Sequence, residues 1–452
     1  MTELTVPGAV SHTRVEARLA LLPRTGVWLA VAVPVGISVN FIARFGIDVP
    51  YWDQWDFVPF LDRAARGSLT LSELASQHNE HRILFPRLIM LGLARLTRWD
   101  VRAEMWAGWS MVLVTLGVLL LELRRRDRPA GLTAWALVSA AWLLFSLRQW
   151  ENWLFGWQLQ IFLAVLGAAV ALWALLVPSP ARIAAAVAAA GVCSYSFASG
   201  LGVWPAGAVV LLLTPLPRRR RMTLVAGWGV AACLVLALYL RGFEPIGSHP
   251  RLGVALEHPL GTLGCLLTAL GGSLAQSLPL ALIVGAVLLL GVVASLVPLA
   301  SRPDGLARAR YGLGLVAFSV AAAGLIAVGR VGLEPPDWLG PAMPSRYTTL
   351  SLIGVYGVFR TAMEVDPRPL RWLLCSGLVL AVALSSVNEL DTEFRTGAHV
   401  ARQRREFRTV VLTLPEPSDA QLQGQYAAPE VMRARIRTLR ALGLGPLRPT
   451  AH

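Results

Sequence analysis

Charged residues are scarce in this chain: they make up 15% of its 452 residues, whereas hydrophobic residues make up 55%. The mean hydropathy is +0.57. A soluble domain cannot bury so much apolar surface, so the composition predicts a polytopic membrane protein. The long apolar runs described below predict that its fold class is all-α integral membrane.

Lysine is absent, so all 41 basic residues are arginines, and the net charge is +14. A strongly basic chain often binds nucleic acid. The arginines here occur in short clusters between apolar runs, which is the distribution of cytoplasmic loops under the positive-inside rule. This distribution excludes nucleic acid as a partner and favours membrane lipid.

Cysteines are few: the four lie singly within apolar segments, without a spacing that suits a metal site or a disulfide. They are expected to be small buried hydrophobes. The sequence has no Gly-rich phosphate loop, Walker pattern or Ser-His-Asp order, which argues against an ATP-driven machine. It has no visible internal repeat, which weakens a repeat-built transporter.

Apolar runs of about 20 residues between polar segments predict about eleven transmembrane helices. They lie at 26–45, 103–123, 131–147, 161–177, 183–199, 202–216, 223–240, 278–299, 311–328, 348–363 and 372–387. The predicted domains are a multi-span membrane domain, 1–387, and a small polar C-terminal tail, 388–452.

A long first external loop, residues 47–102, separates the first two predicted spans. Its apolar stretch 83–96 is roughly 21 Å long as a helix, against about 30 Å for the membrane core. The stretch carries Arg87 on an arginine face opposite a Leu/Ile/Met face, which is typical of a helix lying along the interface.

If that helix does not cross, the arginine clusters all fall on the side of the N-terminus. They lie at 124–128, 218–221, 302–310 and 368–371. The positive-inside rule then places them in the cytoplasm. The predicted localisation is a bacterial plasma membrane, with the N-terminus cytoplasmic and the first loop, the active site and the tail extracytoplasmic.

Two carboxylates follow the first span directly, in the segment YWDQWDF at 51–57. On a helix Asp53 and Asp56 share one face, with Trp52 and Trp55 on the adjoining face. Carboxylates accept hydroxyl protons and indoles stack on sugar rings, so the segment is typical of a sugar site. An acid near lipid is also suited to act as a general base. The alternative is an interfacial aromatic belt with solvated acids.

A second polar run, residues 77–82, offers His78, Glu80, His81 and Arg82. Guanidinium binds phosphate oxygens bidentately, so Arg82 is a candidate phosphate contact; the alternative is that it caps or snorkels at the interface. The histidines are candidate substrate contacts. Their spacing is not the His-Glu-x-x-His pattern of zinc proteases, and no metal ligands are assigned.

Two further polar patches are predicted on the same side of the membrane. In the first, residues 148–160, a helix puts Gln149 and Asn152 on one stripe and Trp153 on the next. Amides entering a span are costly unless something polar lies against them, so this patch is a candidate sugar pocket. The alternative is an aromatic belt whose amides bond to neighbouring helices.

The second patch precedes the span at 348–363 and contains arginines suited to a lipid phosphate. Its candidate substrate-binding residues are Arg330, Arg346 and Tyr347. The alternative is that they anchor the span at the interface.

Residues 26–123 resemble the first span, first external loop and returning second span of the GT-C class of membrane glycosyltransferases. In that class the first external loop holds a catalytic Asp or Glu and interfacial helices. Here Asp53 and Asp56 occupy the acid position, and the stretch 83–96 corresponds to the interfacial helix. The acids are spaced Asp-x-x-Asp rather than adjacent or Asp-x-Asp, which leaves open which is the base. Elsewhere the resemblance is one of span count and orientation.

The resemblance implies transfer of a sugar from a polyprenyl-phosphate donor to a lipid-linked or cell-envelope glycan acceptor. Asp53 would activate the acceptor hydroxyl, and Asp56 or Glu80 would orient the sugar or the acceptor. Arg82 and Arg346 would hold the donor phosphate. The need for a divalent cation, Mg²⁺ or Mn²⁺, stays open.

The alternative function is a lipid-linked glycan flippase or transporter, or a glycan polymerase. A transporter carries ionisable groups near the membrane midplane, on broken helices. In this sequence polar residues gather at the external ends of spans. That distribution favours surface chemistry over transport, but it does not separate a transferase from a polymerase.

Overall fold

The computed structural model describes residues 24–125, 129–247, 252–333, 338–414, 416–426 and 428–449. These residues are largely helical, with one antiparallel hairpin of two short strands, β1 (Gln77–His78) and β2 (His81–Arg82). In chain order the α-helices are α1 (Arg24–Phe45), α2 (Val58–Ala65), α3 (Leu71–Leu74), α4 (Leu84–Thr97), α5 (Val101–Leu123), α6 (Ala130–Leu144), α7 (Trp150–Leu154), α8 (Leu159–Leu175), α9 (Pro180–Ser194), α10 (Val203–Leu212), α11 (Arg218–Leu240), α12 (Leu252–Glu257), α13 (Pro259–Gly271), α14 (Leu278–Ala300), α15 (Gly305–Arg330), α16 (Thr348–Ala362), α17 (Arg368–Thr413), α18 (Asp419–Leu422) and α19 (Pro429–Leu442).

Eight helical segments in the described ranges are long and apolar enough to cross a membrane. They contain α1, α5, α6 with α7, α8, α11, α14, α15 and α17. The predicted all-α membrane class is confirmed, but the count of about eleven is not. The other three predicted spans are helical but short: α9 and α16 have 15 residues each and α10 has 10. At 1.5 Å per residue they reach about 22 Å or less, against a membrane core of about 30 Å.

The centre of the helix bundle is α16, in which all 15 residues are buried. Its close approach to α15 requires glycine, because a Cβ on Gly354 would lie 2.3 Å from Ser319 Oγ. The end of α15 at Arg330 and the start of α16 after Tyr347 therefore meet at the same end of the bundle, where they are joined by a hydrogen bond.

A second hydrophobic core is shared by the first loop and the C-terminal segment. The loop contributes Trp55 and Phe57 from the 3₁₀ turn Trp52–Phe57, and the C-terminal segment contributes Phe407, Met432 and others. Trp55 and Met432 are both fully buried. We call this unit the cap: residues 47–100 together with the described residues from 405 onward.

One continuous helix, α17, joins the bundle to the cap. It has 46 residues, so the span predicted at 372–387 and the start of the predicted tail form one element. No proline interrupts the sequence between Arg371 and Leu414, and each backbone N–H can therefore keep its helical partner. The helix is about 69 Å long, more than twice the membrane core. The domain boundary drawn after residue 387 falls inside it.

The helix expected along the interface at 83–96 is present as α4. Arg87, assigned to an exposed arginine face, is instead 2% exposed. Its guanidinium donates to the carbonyl oxygens of Leu74 and Ser76, at 2.9 and 2.7 Å. A buried guanidinium needs such partners, and these carbonyls end the short helix α3. Leu96, by contrast, is 84% exposed.

Candidate active site

A cavity of about 370 Å³ lies where the first loop meets the ends of α15 and α16. Its volume falls in the range of about 300–1,000 Å³ that is usual for ligand sites. Its charged or titratable lining consists of Asp53, Glu80, His81, Glu151, Arg330 and Arg346, with the tyrosines 51 and 347. Its other lining residues include Trp52, Phe155, Gln158, Gln160 and Phe197.

The 3₁₀ turn Trp52–Phe57 sets the direction of the two predicted aspartates. Side chains three residues apart eclipse in a 3₁₀ helix, so Asp53 and Asp56 both point towards His78. Trp52 begins the turn in the left-handed region, with φ of 44°, which is uncommon for a bulky residue. Its side chain stays 54% exposed on the cavity wall.

The hairpin β1–β2 brings Glu80 and His81 to the same cavity. Asn79 begins its two-residue turn with φ of 48°, a conformation that asparagine tolerates. His78 and His81 pair across the two strands. The Glu80 carboxylate accepts a hydrogen bond from Arg330 Nη2 at 2.6 Å, which fixes the loop to the end of α15.

His81 is held as a neutral ring. Its Nδ1 accepts a hydrogen bond from the Ala198 backbone N–H at 3.1 Å, and the ring lies 4.2 Å from that of Phe197. Burial lowers the pKa of His81 to about 4. Because Nδ1 is an acceptor, the proton of the neutral ring is on Nε2, which lies 3.7 Å from Glu80 Oε1.

This lowered pKa predicts acid sensitivity. In the unfolded chain histidine has a pKa of about 6.5, so between about pH 6.5 and 4 the unfolded state binds a proton that the folded state does not. We expect His81 to cost about 2 kcal/mol of stability at pH 5 and nothing above about pH 7. In His81→Asn the asparagine Oδ1 can replace the histidine Nδ1 as acceptor. The fall in melting temperature between pH 7 and pH 5 should therefore be smaller in this variant than in wild type. His399→Asn, at an exposed histidine of α17, is the control; equal losses in all three proteins would contradict the assignment.

Both arginines of the cavity are oriented by an acid. Arg330 donates to Glu80 and, through Nε, to the Tyr347 hydroxyl at 2.8 Å. Arg346 donates from Nη1 to Glu151 at 2.8 Å and remains 37% exposed. Burial acts to lower the pKa of Arg346, but Tyr347 and Glu151 outweigh it and raise that pKa. Arg346 therefore stays charged and can offer further N–H donors to a ligand.

Asp53 differs from the other two acids of the cavity. Glu80 and Glu151 are each paired with an arginine, whereas Asp53 has no arginine partner among the residues that the structure describes. Its Oδ2 lies 3.6 Å from His78 Nε2, and its side chain is 38% exposed. Asp53 is therefore the cavity carboxylate best placed to accept a proton from a bound hydroxyl.

Asp53, Asp56 and His78 also each offer one potential metal ligand, and these atoms lie within 4.8 Å of one another. The Asp56 carboxylate is already engaged: Oδ1 lies 2.7 Å from Arg435 Nη1 and accepts from the Tyr426 hydroxyl at 2.6 Å. Mg²⁺ prefers several oxygen ligands, and a guanidinium on one of two carboxylates opposes a second cation. The Arg435 guanidinium therefore reduces the negative charge that this group offers to a divalent cation, the need for which the resemblance left open.

The partners of Asp56 predict a role in holding the C-terminal segment. Asp56→Asn removes the charge that pairs with Arg435, a largely buried guanidinium on α19. We expect limited proteolysis, read by mass spectrometry, to cut residues 416–449 several-fold faster in this variant. Asp419→Asn, which breaks an exposed pair with Arg433 in the same segment, is the matched control. Equal cleavage rates would show that the pair does not hold the segment.

Several predicted substrate-binding residues lie in the protein interior rather than in this cavity. Trp55 and Trp153 are both 0% exposed. The Arg82 guanidinium donates to the carbonyl oxygens of Ala75, Tyr239 and Arg241, at 3.0, 2.6 and 2.6 Å. It thereby joins the hairpin to the end of α11. The sequence alone cannot distinguish an arginine that binds backbone carbonyl groups in this way from one that binds a phosphate.

The amides of the patch 148–160 bond to neighbouring helices, the alternative considered above. Gln149 accepts from the Thr349 hydroxyl at 2.5 Å and donates to the Leu144 carbonyl at 2.6 Å. Asn152 donates to Thr349 Oγ1 at 2.7 Å and to the Arg346 carbonyl at 2.9 Å. The bond from Asn152 fixes the backbone of Arg346, and both amides hold Thr349 at the start of α16, so both residues support the cavity from outside its lining.

The single helix expected over 149–160 is broken in two. Helix α7 ends at Leu154, and the 3₁₀ turn Gly156–Gln158 leads into α8. Gly156 allows the break to pack tightly, since a Cβ there would lie 2.7 Å from the Glu104 side chain. As a result Gln158 and Gln160 line the cavity, whereas Gln149 does not.

Two important lining residues, Tyr51 and Glu151, are not among the predicted candidates. Each stands in a patch that the sequence does single out, and Glu151 is the one acid in 148–160. Its function depends on the pairing with Arg346, which lies 195 positions further along the chain. No local pattern indicates a contact at that separation.

No family model, curated protein or solved structure matches this chain. The chemistry of the cavity and its place in the fold therefore provide the evidence for function.

Proposed function

We propose that the protein is an integral-membrane glycosyltransferase that moves a sugar from a polyprenyl-phosphate donor to a lipid-linked or cell-envelope glycan. The observation that carries this proposal is that Asp53, Arg330 and Arg346 line one cavity. A carboxylate that has no arginine partner in the described residues, together with charged guanidiniums in the same pocket, provides the groups needed to activate a hydroxyl and to hold a leaving phosphate.

The phosphate of the donor binds at the arginine side. Arg346 provides N–H donors beyond the one that bonds to Glu151. The hydroxyl of the next residue, Tyr347, accepts a hydrogen bond from Arg330 and so keeps the second guanidinium close by. Guanidinium suits phosphate because its planar fork meets two oxygens at once. Held in this way, the phosphate is stabilised as negative charge develops on it.

Asp53 is the general base. The acceptor hydroxyl gives its proton to the Asp53 carboxylate as its oxygen bonds to the anomeric carbon of the donor sugar. The bond from that carbon to the phosphate oxygen breaks, and polyprenyl phosphate leaves with the electron pair. Trp52 and Tyr51 form the aromatic wall suited to the sugar ring.

The position of the arginine clusters supports an extracytoplasmic site. Helix α5 starts at Val101, beside the turn at Gly156 that leads to the cavity, and ends at Leu123, next to Arg124. Helix α11 starts at Arg218 and ends at Leu240, next to the hairpin. Helix α15 likewise begins at Gly305, within the cluster at 302–310, and ends at Arg330. The cavity is thus at the helix ends opposite the arginine clusters. The positive-inside rule puts these clusters on the cytoplasmic side of a bacterial plasma membrane, and the cavity then lies on the other side.

The test is native mass spectrometry of lipids that co-purify with the protein in mild detergent. We expect a bound polyprenyl monophosphate carrying one sugar, and we expect its occupancy to fall in Arg346→Leu. Arg395→Leu, at an exposed arginine of α17 with 80% side-chain exposure, should retain it. Only diphosphate-linked oligosaccharide would favour the flippase or polymerase, and no polyprenyl lipid at all would overturn the proposal.

A further inference from the structure

A second cavity, of about 540 Å³, lies beside the first. It is bounded by the C-terminal part of α17 and by residues 420–425, and we call it the tail groove. Tyr51 and Glu151 line both cavities, so two side chains form the wall between them. A ligand in the tail groove is therefore separated only by these two side chains from the first cavity, which Asp53 lines.

The dividing wall is rigid. Arg404, only 4% exposed, lies over the Tyr51 ring at 4.3 Å and donates to the Leu154 carbonyl. Glu151 is fixed by Arg346 and by the Ser345 hydroxyl, which donates to it at 3.1 Å. Because neither wall residue can swing freely, the spacing between the two cavities is set by the fold.

The lining of the tail groove is rich in primary amides, with aromatic residues beside them. Four glutamines line it: 403, 421, 423 and 425. Each amide can donate and accept hydrogen bonds, as sugar hydroxyls do, and carries no charge that would select an ionic ligand. Trp150 and Phe407 add ring surfaces to the lining. The charged residues of the lining are Glu151, Arg404 and Glu406: the first two are engaged within the protein, and the third is a carboxylate that repels a phosphate. The lining therefore matches a neutral, hydroxyl-rich ligand better than a phosphate or a lipid tail.

The tail groove also lies beyond the apolar part of α17. The apolar part of α17 ends at Asn388, and Gln403 is about 22 Å further along the helix at 1.5 Å per residue. The groove belongs to the part of α17 that joins the cap, whose core is separate from that of the bundle. The polar character of this part of the helix again fits a glycan rather than an acyl or prenyl chain.

We propose that the tail groove binds the acceptor as a glycan chain and presents its terminal hydroxyl to Asp53 across the wall formed by Tyr51 and Glu151. This inference rests on the proposed function, because it needs the first cavity to hold the donor. It assigns the recognition of the acceptor to sugar units rather than to a lipid anchor. The C-terminal segment then forms part of the substrate site.

The test measures saccharide binding directly, so that it does not depend on transfer. The full-length protein in nanodiscs is titrated with neutral linear tetrasaccharides of gluco, manno, galacto and arabino type, and binding is followed by saturation-transfer difference NMR. We expect wild type to bind at least one of them. The double variant Gln403→Ala/Gln425→Ala should bind that saccharide about tenfold more weakly, as expected for roughly 1.4 kcal/mol of lost hydrogen bonding. Gln276→Ala, at an exposed glutamine in the turn before α14, is the matched control.

Each outcome decides the inference. Binding that the double variant does not weaken, or that Gln276→Ala weakens equally, overturns it, as does a panel in which no saccharide binds wild type. Ala420→Trp is an independent test: it fills the groove from an exposed lining position, and it must also reduce binding. If groove-dependent binding is found but no polyprenyl monophosphate sugar co-purifies, the proposed transferase fails while the glycan site stands.

Discussion

Replacing Asp53 with asparagine should lower sugar transfer by about 10²–10⁴-fold, the usual contribution of a general base. The amide keeps the size of the side chain but cannot accept the hydroxyl proton. Asp53 has no arginine partner in the described residues, so the change breaks no ion pair of the kind that holds Glu80 and Glu151. We therefore expect the fold and the co-purifying donor to be unchanged, and the measurement is transfer from a synthetic polyprenyl-phosphate sugar.

Asp62→Asn is the matched control for this prediction. Asp62 lies in the same loop, on α2, and pairs with the exposed Arg66 that follows this helix. Its replacement should leave the transfer rate within a factor of about two to five, since exposed pairs contribute up to about 1 kcal/mol. Wild-type turnover in Asp53→Asn, or an equal loss in both variants, would remove Asp53 from the role of base.

The charged residues that define the cavity could be predicted from the sequence, because they lie next to the predicted membrane spans. Arg330 ends one predicted span and Arg346 precedes the next, so alternation of the chain across the membrane predicts that they lie on one side. Asp53 and Glu80 belong to the loop on that same side. The structure places all four on one cavity.

The sequence could not distinguish the residues that build the cavity from those that line it. Trp52 and Trp55 are three positions apart, yet one is 54% exposed and the other is buried in the cap. The difference arises because the C-terminal segment packs on Trp55, as the ring contact with Phe407 at 6.3 Å shows. Arg82 is likewise directed away from the cavity by carbonyl groups at the end of α11. Both outcomes depend on contacts between distant segments.

The continuous helix α17 explains why the tail groove was also inaccessible to sequence reasoning. Hydropathy divides this helix into an apolar span and a polar tail, although its backbone is uninterrupted. The same rigid element crosses the bundle, carries Arg404 onto Tyr51 and forms one side of the groove. The geometry of the groove is therefore linked to the packing of the bundle.

Arg360→Met should be the most destabilising of the substitutions considered for this protein, by about 3–5 kcal/mol. Arg360 is 0% exposed and binds Glu122 bidentately, with two hydrogen bonds of 2.9 Å. It also donates to Glu364 at 2.8 Å, so it links α5 to the end of α16. Removing the guanidinium leaves buried carboxylates without their main partner. The measurement is the melting temperature of the detergent-purified protein.

Two further variants separate this buried charge network from a general loss of packing. Arg360→Met/Glu122→Leu removes both members of the pair and should recover much of the lost stability, because well-packed apolar residues can replace a buried ion pair. Arg302→Leu breaks a half-exposed pair with Asp366 near the same end of the bundle and should change stability by about 1 kcal/mol or less. If the double variant melts below Arg360→Met, the loss comes from packing rather than from an uncompensated charge. The expected order, with the single variant lowest, would show that α16 is held at the centre of the bundle by this ion pair, at the end opposite the cavity.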